Sequence, residues 1–356
     1  MTATDQLPSR PAPEVAELWD AGRIRAWQDY HLSGMPDLIS AFNLCHALHA
    51  LATTGLLDRL RADEPRPAAD LLAGMDPETG GGFLRYLSVA GVLEEHAGTY
   101  RLTRRGTLLT GDIGLARLGF YLEAYGPVTR RAADLLTGAG TYGVDVVRDH
   151  GALGRRSGTI TSVSYLPIVR EAMRGRTATG LVDLGCGDGS LLVELCTRYP
   201  ELTGTGLDIA PAAVEAARAR AARAGVADRV RFAVADAFDA ATWPPGCDSA
   251  GVVCGVGVLH EKFRDGDDAV VDLLDRLAGT LGDDRMLLLG EPELRYDNRE
   301  NDADFFLVHV LTRQGIPRDR DGWLALFERT RLSCRRVYSS AVAGPRTCFY
   351  ELVAGS

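Results

Sequence analysis

The stretch Leu181–Ser190, LVDLGCGDGS, constrains this chain more than any other. A short apolar run carries Asp183 and then breaks into Gly185, Gly187 and Gly189. Beyond Ser190, LLVELCTRY places apolar residues at three- and four-residue spacing, the period of a helix with one buried face. The order is strand, glycine turn, helix. Glycines let the backbone approach a ligand closely and take positive φ without a Cβ clash. The helix N-terminus behind them offers free N–H groups and a positive dipole end. The spacing is G-x-G-x-G, whereas the dinucleotide fingerprint G-x-G-x-x-G needs a third glycine where Ser190 stands. Asp183, two residues before Gly185, suits a cationic ligand group such as an amino-acid ammonium better than a pyrophosphate.

The rest of a ligand site follows at matching intervals. LTGTGLDI predicts a second strand ending in Asp208, an acid placed to accept hydrogen bonds from ribose hydroxyls. VRFAVADAF predicts a third strand leading into Asp236, Ala237 and Phe238, a carboxylate beside an aromatic ring that suits the edge and face of adenine.

On these motifs roughly residues 165–356 resemble the class I S-adenosylmethionine-dependent methyltransferases. The resemblance implies an α/β, Rossmann-like, seven-stranded sheet with an antiparallel final strand, and S-adenosyl-L-methionine rather than NAD as cofactor. It carries the cofactor role to Asp183, Gly185, Gly187, Asp208, Ile209, Asp236, Ala237 and Phe238.

The chain of 356 residues has room for two cores. Its net charge of −9 gives no reason to expect a nucleic-acid partner, and no apolar run approaches the length of a membrane span. Seven scattered cysteines form no C-x-x-C pair, which reads as reduced thiols in a cytoplasmic protein. Residues 1–12 read as a disordered tail. Residues 13–106 read as helices followed by a hairpin around Ala97-Gly98, the order of a winged helix. Its second short helix offers only Arg85 among Phe83, Leu84, Tyr86 and Leu87, a packing face rather than a phosphate reader. The same order resembles the dimerisation domain of small-molecule O-methyltransferases. The helix predicted between Pro36 and Thr53 is apolar nearly all round, so a homodimer interface is expected there. Residues 107–175 form a helical connector that in such enzymes lines the acceptor pocket, and residues 176–356 the cofactor domain. Tyr121 and Tyr125, four apart, are the candidate substrate residues, with Phe305 and Phe306 beside them. Arg130, Arg131 and Arg148 are candidates to hold an anionic substrate group, and Tyr165 a candidate cofactor neighbour.

DSAGVVCGVGVL predicts a fourth strand running directly into His260 and Glu261. In O-methyltransferase relatives a histidine there is the general base, and His260 matches it; imidazole suits proton transfer near neutral pH. His309 lies in the apolar helix stretch FFLVHVL. His260, Glu261 and His309 together make a 2-His-1-carboxylate set for iron, zinc or a similar ion. That set on this scaffold resembles the metal-dependent 2-oxo acid C-methyltransferases of peptide antibiotic pathways. The resemblance implies methylation at C3 of a 2-oxo acid, with O-methylation of a phenolic or other hydroxyl as the alternative.

Overall fold

The computed structural model describes residues 20–62, 64–174, 180–281, 285–294, 303–339 and 346–355, together with Glu14 and Ala16. The tail 1–12 and most of the first turn of the first expected helix lie outside the described residues.

The N-terminal part begins with α1 (Ala21–Leu32), α2 (Met35–Thr53) and α3 (Leu56–Leu60). Strand β1 (Arg66–Pro67), α4 (Ala68–Leu71), α5 (Pro77–Val89) and the hairpin β2 (Leu93–His96) and β3 (Thr99–Leu102) follow. The hairpin turns at Ala97 and Gly98, both at positive φ (49° and 78°), as a tight two-residue connection requires. Leu51, Leu56, Leu71, Leu84 and Leu87 fill its core. Only Ala47, Leu48 and Leu51 of α2 are buried, whereas Leu38 and Phe42 are 58% and 62% exposed. The apolar N-terminal half of α2 is therefore uncovered within one chain.

The connector comprises α6 (Arg104–Leu109), α7 (Asp112–Gly119), α8 (Gly126–Thr129), α9 (Ala132–Thr137), α10 (His150–Ile160) and α11 (Leu166–Met173). Two single π-helical turns interrupt it, at Phe120–Ala124 and Thr161–Tyr165. Glu123 in the first turn ties three segments together. It accepts from His49 of α2 at 2.8 Å and from Arg156 of α10 at 3.0 Å.

The remainder is an open α/β domain: β4 (Gly180–Leu184), α12 (Ser190–Arg198), β5 (Thr203–Asp208), α13 (Pro211–Ala224), β6 (Val230–Val234), β7 (Val252–Val256), α14 (Asp267–Thr280), β8 (Met286–Glu293), α15 (Ala303–Thr312), α16 (Arg320–Phe327), β9 (Leu332–Ser339) and β10 (Arg346–Ala354). The 7-stranded sheet has the order β6-β5-β4-β7-β8-β10-β9. β4 to β8 run parallel, and β10 is antiparallel to both β8 and β9. This is the sheet expected from the sequence, final antiparallel strand included. Strands covered on both faces read as unbroken apolar runs, and β8, MLLLGEPE, is buried along its whole length. α11, α12 and α13 cover one face and α14 and α16 the other. Each fully buried leucine there contributes roughly 1.5–3 kcal/mol. The strand order reverses between β4 and β7, so the carboxyl ends of those strands open a crevice for a ligand.

Candidate active site

A cavity of about 700 Å³ occupies that crevice, walled on its other side by the connector. Gly185 and Gly187 line it at φ 67° and 54°. Gly189 serves packing instead: a Cβ there would lie 2.6 Å from the Phe232 ring. Asp208 accepts Gly187 N–H and Ala210 N–H, both at 2.9 Å. Each of its oxygens keeps a lone pair for a ligand hydroxyl. Ile209 is 72% exposed at the cavity, an apolar face waiting for a flat ligand. Asp236 accepts Phe238 N–H at 2.8 Å, and Asp236, Ala237 and Phe238 all line the wall.

Asp183 departs from expectation. It lies behind the glycine turn, buried and outside the cavity wall. Burial, with Asp208 adding to it, pushes its pKa up to about 8, so the group is mostly protonated at neutral pH. Being inside the strand rather than past its end keeps it from reaching a ligand's ammonium directly.

At the centre stand two imidazoles. His260 leaves β7 on a short 3-10 turn and is buried. Its Nδ1 meets Glu291 Oε2 at 2.7 Å. Glu291, fully buried on β8, also accepts Val258 N–H at 3.2 Å, Leu259 N–H at 2.7 Å and His260 N–H at 3.4 Å. Its oxygens therefore face donors only, and His260 Nδ1 carries a proton. His309, on α15, sets its Nδ1 2.7 Å from the Phe305 carbonyl. A carbonyl only accepts, so this Nδ1 is protonated too. Burial, then the neighbouring His260, hold the His309 pKa down at about 3. His309 is left with a lone pair on Nε2, which faces His260 Nε2 at 3.0 Å. A proton on His260 Nε2, or a cation bound by both rings, makes that contact favourable. Zinc–imidazole bonds are about 2.0–2.1 Å, and two such bonds near a right angle span about 3.0 Å. The nitrogen pair fits a metal ion.

Glu261 does not complete the set. Its Oε1 takes Arg148 at 3.0 Å and Gln314 at 3.1 Å, and its Oε2 takes Arg264 at 3.0 Å. Burial works to raise its pKa, but Arg148, His260 and Arg264 outweigh burial and hold it low. Among the described residues no three His, Cys, Asp or Glu side chains are grouped to hold a metal. The expected three-ligand convergence is thus two imidazoles with a nearby carboxylate turned to arginines.

The acceptor wall is likewise only partly as expected. Tyr125 lines it, accepting from Arg148 at 3.1 Å and donating to Gln314 at 3.4 Å. Tyr121 stays outside the lining and packs edge-on to Phe120. Phe305 faces the cavity and Phe306 is not part of its lining. Of the three arginines only Arg148 reaches it, 10% exposed, with a buried Nε that has no partner among the described residues. Tyr165 lines the wall. Gln314, Tyr142, His150 and Arg117 also line it. Tyr142 and Gln314 come from loops, Arg117 from α7 and His150 from the first turn of α10; none stands in a motif, so the sequence holds no signal for them.

A family model described as a methyltransferase domain matches residues 181–279. The chain is 31% identical over 327 residues to 2-ketoarginine methyltransferase of Streptomyces arginensis, covering 86% of this chain and 90% of that protein. It is 34% identical over 139 residues to indolepyruvate C-methyltransferase of Streptomyces griseus, covering 38% and 40% of the two. The solved structure of the mitomycin 7-O-methyltransferase MmcR superposes with a TM-score of 0.69 at 23% identity, over 93% of this chain and all of that one. The chain belongs to the class I S-adenosylmethionine-dependent methyltransferases. It is an enzyme that uses S-adenosylmethionine as methyl donor and acts on small molecules. No described helix is long and apolar enough to cross a membrane.

Proposed function

We propose that the enzyme methylates C3 of a 2-oxo acid with the help of a divalent or ferric ion held by His260 and His309. The observation that carries this reading is the pair of Nε2 atoms facing each other 3.0 Å apart, each ring fixed by a hydrogen bond at Nδ1. A base acting on a hydroxyl needs one such imidazole and has no use for the second. The 2-ketoarginine and indolepyruvate methyltransferases among the relatives support the same reading.

When bound, the ion supplies Lewis-acid stabilisation of the negative charge that develops on the 2-oxo oxygen as the C3–H bond breaks. The chain's residues do the rest. Glu291 keeps His260 in the Nδ1–H tautomer and fixes its ring plane. The peptide carbonyl of Phe305 does the same for His309. Arg148, through its unpartnered Nε, holds the substrate carboxylate, and Tyr125 and Phe305 cover the side chain. Gly185, Gly187, Asp208, Ile209, Asp236, Ala237 and Phe238 hold the donor. C3 then attacks the methyl carbon, the sulfur–methyl bond breaks, and S-adenosylhomocysteine leaves with a proton released to solvent.

Elemental analysis of purified protein is expected to find about one ion per chain, and dipicolinate to remove ion and activity together. Fully active metal-free protein would end this reading. One observation favours O-methylation instead: the His260–Glu291 pair is also what a general base requires. On that reading His309→Ala keeps most of the rate and His260→Ala removes it. On the metal reading both substitutions abolish it.

We further infer that residues 13–106 form a dimerisation unit, 107–175 the acceptor-lining connector and 176–356 the cofactor domain. A second copy of the chain covers the exposed face of α2.

A further inference from the structure

We propose that Gln314 and Gly315 are positioning residues that clamp the turn carrying His260 to the helix carrying His309, and so set the separation of the two imidazoles. The inference rests on the histidine pair as the reacting centre, and holds whether that centre binds a metal or acts as a base.

The two rings come from segments 49 residues apart, yet their Nε2 atoms stand 3.0 Å from each other. A working site tolerates errors of only about 0.5 Å in such a distance, so both backbones need a fixed seat. β8 supplies one, because Glu291 takes the N–H groups of Val258, Leu259 and His260. The segment 313–319, which joins α15 to α16, supplies the other. Arg313 ends α15 in the left-handed region, at φ 49°. Gln314 and Gly315, both buried, then meet the 3-10 turn Leu259–Asp265.

Gly315 makes the closest approach. A Cβ there would lie 2.0 Å from the His260 carbonyl oxygen, 2.5 Å from Phe263 Cβ and 2.8 Å from Phe263 N. Two of these atoms belong to the backbone, and the third is fixed to it, so no change of rotamer relieves the clash. Cβ atoms do not come within 3.0 Å of such neighbours. A side chain here must therefore displace the turn or the segment by about 1 Å, roughly twice what the site tolerates.

Gln314 holds the same turn by its side chain. Its amide nitrogen donates to Glu261 Oε1 at 3.1 Å, and its amide oxygen accepts from the Tyr125 hydroxyl at 3.4 Å. Arg148 closes the circuit, donating to Tyr125 at 3.1 Å and to Glu261 at 3.0 Å. Two further contacts pin Phe263. The Trp323 ring lies 5.2 Å away, and the Arg318 guanidinium stands 4.8 Å from its centroid. His260, Glu261 and Phe263 are each gripped by the chain that follows the His309 helix.

The test reads the rings directly, in the full chain freed of metal. Nitrogen-15 spectra of ring-labelled histidine are recorded at one pH, with His260→Gln and His309→Gln assigning the two signals. Gln314→Met and Gly315→Ala are each expected to shift the ring-nitrogen signals of both His260 and His309, because the contact between the rings is what changes. The other histidines should keep their positions, and affinity for S-adenosylhomocysteine, by calorimetry, should change by less than about twofold. Where the wild type takes up cobalt(II), both variants should bind it about 10- to 100-fold more weakly, with an altered visible spectrum. A wild type that takes up none ends the metal reading, and the ring spectra then decide the clamp. Wild-type ring signals in either folded variant would overturn the proposal. So would shifts spread over all seven histidines, which mark a general loosening. If Gly315→Ala fails to fold, Gln314→Met, which adds nothing at the crowded contact, decides alone.

Discussion

His260 and His309 turn a simple hydrogen-bond argument into a chemical one. Each Nδ1 is held by an acceptor, so the two Nε2 atoms are turned toward each other, at a separation of 3.0 Å. Glu291→Gln tests whether the tautomer matters. Its amide oxygen can still accept the Val258 and Leu259 N–H groups, which leaves an NH2 facing His260 Nδ1. The ring must then carry its proton on Nε2 and donate it to His309. We expect a folded protein whose metal content and rate both fall by about 10- to 100-fold, measured by elemental analysis and steady-state kinetics; retention of both would show that the tautomer is immaterial. Asp183 gives a second residue-scale test. Its folded pKa of about 8 lies above the unfolded value of about 3.9. Between those values the native state holds the extra proton, so the contribution is fully present at low pH and is lost as pH rises toward 8. The ligand-free protein should melt at progressively lower temperature as pH rises from about 5 to 8, and Asp183→Asn should flatten that slope. An identical slope in the variant would remove Asp183 as its source.

Among the elements, α10 and the glycine turn depend on each other. A Cβ on Gly158 would lie 2.7 Å from Ser190 Oγ and 2.8 Å from Asp188 Oδ1. Gly154 brings the same helix against Gly187. α10 therefore lies directly on the glycine turn that lines the cavity. Gly158→Ala should push the helix outward and weaken S-adenosylhomocysteine binding at least about tenfold, at a stability cost of about 1–3 kcal/mol, seen by calorimetry and thermal melting. Normal binding with normal stability would mean that the helix can shift at no cost. The neighbouring π-helical turns explain why the tyrosine pair was not readable from spacing. Tyr125 follows directly after the turn Phe120–Ala124 and faces the cavity, while Tyr121 inside that turn packs on Phe120. Helical spacing predicts shared faces only where the helix is regular.

For the whole molecule, the exposed apolar face of α2 is the feature a single chain leaves unexplained. Leu38, Ile39 and Phe42 are 58%, 47% and 62% exposed, and Trp27 on α1 is 64% exposed. Monomers seldom leave large aromatic and aliphatic groups clustered in water. Leu38→Asp with Phe42→Asp should convert a dimer to a monomer in sedimentation velocity, with the fold intact by circular dichroism; a wild-type protein that sediments as a monomer would remove the interface. The glycine-turn half of the cavity, proposed to hold the donor, was legible because its residues sit at the ends of consecutive strands. Local pattern sets each strand, and the parallel topology brings the ends together. Gly185, Asp208, Asp236 and Phe238 all line the cavity as expected. The acceptor half was not legible. Glu261 was read as a ligand, but Arg148, 113 residues upstream, and Gln314 claim its oxygens. Gln314 and Arg117 stand in no pattern at all.

Sequence alone determined the strand–turn–helix order and the acids at the strand ends, because periodicity and glycine stereochemistry act over a few adjacent residues; the seven-stranded sheet and the methyl donor were what the family resemblance implied. It also put an imidazole at the end of β7 and another on a later apolar helix. Only the tertiary structure decided that these two rings meet nitrogen to nitrogen, which hydrogen bonds hold them, and which arginines claim Glu261. Those outcomes depend on distances between segments far apart in the chain, set by packing that no local pattern encodes.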